Sequence, residues 1–103
     1  MPEKRYLIPY SLDTRKRHHH ETQQGKIAWF MVQLEVLVEE EWKSVIRYDC
    51  AHGYAHCDRF NLRGDSVKDN LEMSYEEVLT FADEDIDDHW ETYRNHFLEG
   101  GYP

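Results

Sequence analysis

Lys26-Ile27-Ala28-Trp29-Phe30-Met31-Val32-Gln33-Leu34-Glu35-Val36-Leu37-Val38 decides the fold. Its even positions, Ala28, Phe30, Val32, Leu34, Val36 and Val38, are all apolar, and Gln33 and Glu35 lie on the odd face. Period-2 alternation sustained over this length predicts a half-buried β-strand. At roughly 3.4 Å per residue such a strand is about 37 Å long.

Glu39-Glu40-Glu41 interrupts the run, and a second strand is expected from Trp42 to His52 with Ile46 and Tyr48 on its apolar face. A three-residue turn at 39–41 would set Val38 opposite Trp42, Leu34 opposite Ile46 and Val32 opposite Tyr48. Gly53 marks the next turn. With Gly53-Tyr54-Ala55 as the loop, Ile46 faces Leu62 and Tyr48 faces Phe60. Asp49 then meets Arg59, and His52 stands directly opposite His56. An even-length turn would instead bring Asp49 against Asp58, a like-charge clash.

Residues 63–72 read as a polar connection. Ser74 and Glu77 then form a capping box, and Met73 with Val78 a hydrophobic staple. An apolar stripe at Val78, Leu79, Ala82, Ile86, Trp90, Tyr93 and Phe97 predicts a helix of about 25 residues and 37 Å, which Gly100 and Gly101 end. Ile86 and Trp90 are expected on the even face, against Phe30 and Leu34 or their neighbours. Before the first long strand, Tyr6-Leu7-Ile8 can form a short strand, and residues 11–24 read as a polar loop. The expectation is therefore one α+β domain over residues 1–103. It holds a three- to four-stranded antiparallel β-meander with one long C-terminal helix packed on one face, and residues 1–25 form a partly mobile N-terminal segment.

The 103 residues carry a net charge of −9, unevenly placed. Residues 1–26 hold six basic and three acidic side chains, a net of +3, and the rest a net of −12. The body of such a protein repels nucleic acid at long range. Only Arg15, Lys16 and Arg17, with His18, His19 and His20, could attract phosphate. The predicted helix carries Glu76, Glu77, Asp83, Glu84, Asp87, Asp88 and Glu91 away from its apolar stripe, either as a solvated face or as a docking surface for a basic protein partner. No apolar run approaches the roughly 20 residues that span a bilayer, and no secretory signal is visible. The expected location is cytoplasmic, with no membrane contact, and Cys50 and Cys57 are expected as free thiols.

The segment from Arg47 to Asp58 is densest in functional side chains. In the expected register His52 and His56 are cross-strand neighbours, and Asp58 follows on the same face. Three readings stay open for this trio: a hydrogen-bonded structural turn, a metal-independent acid–base pair, or a metal site. No cofactor is otherwise implied.

The run Val45-Ile46-Arg47-Tyr48-Asp49, followed by Ala51-His52-Gly53, His56 and Ser74-Tyr75-Glu76-Glu77-Val78-Leu79, resembles the TumE-like small toxins of prokaryotic toxin–antitoxin pairs. The similarity spans residues 42–82 and departs at Cys50, where that family often has Asn. The resemblance implies a ribonuclease-like toxin acting on RNA. On that reading His52 and His56 are base and acid, and Asp58 orients one ring. Charge balance favours a different function, a non-enzymatic interaction module for a basic partner. A small metal-binding protein is the third.

Overall fold

The computed structural model describes residues 2–103. Seven elements follow one another: β1 (Glu3–Ser11), β2 (Thr14–Gln23), β3 (Lys26–Val38), β4 (Glu41–Asp49), β5 (His56–Phe60), β6 (Ser66–Asn70) and α1 (Tyr75–Leu98). The strands form one antiparallel sheet in the order β1-β2-β3-β4-β5-β6, and α1 packs on one face. The class is α+β, as the alternation and the capping signals predict, but the meander has six strands rather than three or four.

The alternating segment is the third strand. Phe30, Val32, Leu34 and Val36 are fully buried beneath α1 with Ile46 and Tyr48, and meet Val78, Ala82, Ile86 and Phe97 of the helix. The helix starts as its sequence dictates. Glu77 N–H donates to Ser74 Oγ, and Ser74 N–H donates back to the Glu77 carboxylate. Two orphan backbone donors are thereby satisfied.

Residues 11–24, expected as a loop, lie largely in β2. The strand Thr-Arg-Lys-Arg-His-His-His-Glu-Thr-Gln has no apolar residue, so hydrophobic periodicity is silent over it. Its order comes from ladders to β1 and β3 and from the helix. Lys16 and His18 point inward, where Lys16 Nζ lies 3.0 Å from Asp83 and 2.8 Å from Asp87, and His18 Nδ1 lies 3.2 Å from Asp83. Tyr10 of β1 donates its hydroxyl to Asp87. β6 falls within the expected polar connection, and all five of its residues are exposed.

The β3–β4 hairpin turns on two residues, Glu39 and Glu40, both with positive φ (51° and 67°). Such a turn matches the twist of the flanking strands. It pairs Val38 with Glu41 and Leu37 with Trp42, one residue off the expected register. Val45 is the extra residue of a bulge that restores the expected pairs Leu34 with Ile46 and Val32 with Tyr48. Both Val45 and Ile46 are buried as a result.

Helix α1 sends different side chains to each flank. Asp85 accepts from the Tyr48 and Tyr93 hydroxyls (2.8 Å for the shortest of each) on the β4 side. Trp90 stacks on Tyr10 of β1 at 5.0 Å. Ile86 is in the core as expected, and Trp90, half-buried, packs against the edge of that core with its ring on Tyr10.

Candidate functional site

The β4–β5 connection is six residues, Cys50 to Ala55, and not three. Asp49 pairs with His56, Arg47 with Asp58 and Tyr48 with Cys57. This corrects the expected pairing of His52 with His56 and of Asp49 with Arg59. That expectation assumed that Phe60 and Leu62 face the core. The inward residues of β5 are instead Cys57, beneath Tyr48, and Arg59, which bonds Asp69 of β6 at 2.9 Å. Phe60 lies on the outer face under the Arg47 guanidinium, 5.3 Å from ring centroid to Cζ. Burial pushes the Cys57 thiol up to about 12, and Cys50 is also raised by burial. Both thiols are free and poorly nucleophilic.

His56 sits between two carboxylates on the sheet face opposite α1. Its Nε2 lies 2.5 Å from Asp49 Oδ1 and 3.4 Å from Asp58 Oδ2. Its Nδ1 is 3.3 Å from the Tyr54 carbonyl, which can only accept, so Nδ1 carries a proton. Side-chain exposure is 2% for His56, 9% for Asp49 and 12% for Asp58. His52 does not join the strand. It lies exposed in the loop with its ring stacked on His56, centroids 5.4 Å apart. Gly53, at φ +86°, lets the loop fold back over the ring. Of the three residues expected together, His56 and Asp58 share the cluster, and His52 covers it.

Asp49 is the member that sequence reasoning placed elsewhere. The signal that finds it is parity. Asp49, His56 and Asp58 fall on one face once the connection has six residues. The expected clash of Asp49 directly opposite Asp58 does not arise, because Asp49 pairs with His56 and Asp58 with Arg47, and the two carboxylates meet only diagonally around the imidazole.

A second polar network shares this outer face. Buried Glu35 accepts from Arg15 Nε (2.7 Å), Arg17 Nε (2.9 Å) and Gln33 Nε2 (2.5 Å), and Arg47 Nε donates to Gln33 Oε1 at 2.6 Å. Burial raises the Glu35 carboxyl, but Arg17, Arg15 and Gln33 outweigh it and hold it below its usual range. Arg15 also covers Trp42, 3.8 Å above the ring. The basic segment expected to attract phosphate is thus largely engaged within the chain.

A family described as Domain of unknown function (DUF7718) matches residues 1–102. The chain belongs to that family. No curated protein and no solved structure matches it. No helix among the described residues is long and apolar enough to cross a membrane.

Chemically, the cluster offers one imidazole nitrogen and two carboxylates at one point. Acid–base work by two histidines needs a free nitrogen on each ring within reach of the substrate. His52 offers that, whereas the Nε2 of His56 faces Asp49 and Asp58 under the loop.

Proposed function

We propose that this member of the DUF7718 family is a non-enzymatic interaction module whose exposed helix face binds a basic segment of a partner protein. One observation carries the reading. Asp83 and Asp87 turn toward Lys16, while Glu77, Glu84, Asp88 and Glu91 fall on the outward side of α1 and make no ion pair among the described residues. Glu84 and Asp88 are like charges four residues apart, an arrangement that weakens an isolated helix. A cation from outside relieves that repulsion.

Phe81, 47% exposed, lies beside this row in a shallow hollow lined by Glu76, Glu77, Thr80 and Glu84. An exposed aromatic among carboxylates suits a Lys- or Arg-rich segment that carries one apolar side chain. The net charge of −12 over residues 27–103 steers such a partner toward the helix side.

The test is titration of the 15N-labelled chain with a synthetic Lys/Arg-rich amphipathic peptide at two salt concentrations. Amide shifts are expected to cluster on residues 77–91 and to weaken with salt. Glu84→Lys with Asp88→Lys is expected to lower the affinity at least tenfold. Shifts that scatter over the sheet, or an affinity untouched by the double charge reversal, would falsify the reading.

A further inference from the structure

Among buried carboxylates on the outer face, Glu35 and Asp49 contrast sharply. Glu35 has three donors. Asp49 Oδ1 is buried and has no hydrogen-bond partner of regular geometry, its nearest polar neighbour being Nε2 of His56 at 2.5 Å. A buried carboxylate oxygen without a donor is costly. Asp58 adds a second negative charge 3.4 Å from the same nitrogen.

The cations that the register places nearest do not help. Arg47, opposite Asp58 on β4, donates to Gln33 and Ser44. Lys68, opposite Asp58 on β6, is exposed and makes no ion pair among the described residues. Two carboxylates are therefore buried side by side with only an imidazole between them.

We propose that Asp49, His56 and Asp58 form a binding site for a divalent transition-metal ion of the zinc class. The inference is independent of the acidic helix face. The ligand atoms of the three residues lie within 4.8 Å of one another. With Nδ1 turned to the Tyr54 carbonyl, Nε2 is the ring nitrogen that faces the two carboxylates. Metal-ligating histidines habitually donate their other nitrogen in this way. Two carboxylates and one neutral imidazole balance a dication, and one N with two O ligands suits zinc or its first-row neighbours.

Ligands at about 2.1 Å in a tetrahedral site stand roughly 3.4 Å apart. The separation to Asp58 already has that value. Asp49 withdraws by about 1 Å on loading and so relieves its close approach to Nε2. All three residues sit on two paired strands, which gives the site a rigid base. His52 and Tyr54, in the loop above, line the approach. A second acid–histidine group, Glu3 with His19 and Glu21, lacks this character. Arg5 already donates to its imidazole at 3.3 Å and pairs with Glu3.

The test uses the full chain, stripped with a chelator and titrated with Zn2+ by calorimetry and in a thermal scan. One Zn2+ per chain is expected, with a rise in Tm of several degrees at saturation. Asp49→Asn and Asp58→Asn are each expected to weaken binding at least tenfold while the metal-free variants melt no earlier than the metal-free parent. The imidazole 15N spectrum of the unmutated chain supplies a readout free of folding effects, in which Zn2+ should move the His56 resonances. Absence of stoichiometric uptake overturns the proposal. So does zinc that shifts only His18, His19 and His20, or unchanged affinity in both variants.

Discussion

Lys16 on β2 reaches Asp87 on α1 with its Nζ 2.8 Å from the carboxylate, and only 2% of the lysine side chain is exposed. Burial lowers the ammonium's affinity for its proton, but hydrogen bonds to Asp87 and Asp83 outweigh that and raise its pKa. The contact ties the N-terminal strands to the C-terminal helix across most of the chain. It replaces the apolar packing that β2 cannot supply.

Lys16→Met should therefore destabilise the fold. A fully buried pair broken on one side costs about 3–5 kcal/mol. Asp83 and Asp87 keep some contact with water, so about 1–3 kcal/mol is expected here. Urea unfolding measures it, and a loss below about 0.5 kcal/mol would place Lys16 among ordinary surface charges.

Acid should unfold the protein through its paired carboxylates. Asp13 is held low by its hydrogen bonds with Arg94. Asp83, raised by burial, is brought below its usual range by His18 and Lys16, and Glu35 by Arg17, Arg15 and Gln33. In each case the unfolded chain takes up the proton more readily than the folded one. This stability is fully present above the ordinary values of 3.8 for Asp and 4.5 for Glu, and is lost as pH falls through the lower folded values. Tm should begin to decline as pH falls through the ordinary histidine range, because burial holds the His20 imidazole below it, and should fall more steeply below about pH 5 as these carboxylates take up protons. A Tm that rises on acidification would contradict these pairings.

The Glu39-Glu40 turn offers a stabilising change. Both residues occupy the left-handed region, which costs a side-chain-bearing residue about 1–2 kcal/mol. Glu39→Asn with Glu40→Gly installs the pair favoured in two-residue hairpins. The gain should be about 0.5–1 kcal/mol after the entropy of the new glycine is subtracted. A raised urea midpoint with an unchanged slope is the expected result, and a lowered midpoint would show that the glutamates make contacts beyond the turn.

What could be read from the chain depended on where apolar residues carried the order. β3 alternates because one face lies under α1, and Ser74 with Glu77 announces the helix start by local chemistry. β2 is ordered by Lys16 and His18 meeting carboxylates almost 70 residues away, which no local window contains. β5 was misregistered because Phe60 faces outward under Arg47 while Cys57 and Arg59 face in. In the candidate site, His56 and Asp58 were visible as a spacing of two. Asp49 was not, because it joins them only when the connection has six residues, which sets Asp49 opposite His56 and Asp58 opposite Arg47.

The sheet order has a kinetic side. Every strand pairs only with its neighbour in the chain, so no backbone ladder needs a distant segment. Closing short loops is entropically cheap, and sheets assembled this way form faster than those that interleave remote strands. The β3–β4 hairpin, with its two-residue turn and its buried Leu34–Ile46 pair, is the natural seed. On that route the inner strands are expected to pair first, and the contacts of Lys16 and His18 with Asp83 and Asp87 lock β2 once α1 has docked. The outermost strands, β1 and β6, can then fray and re-form while the centre stays closed.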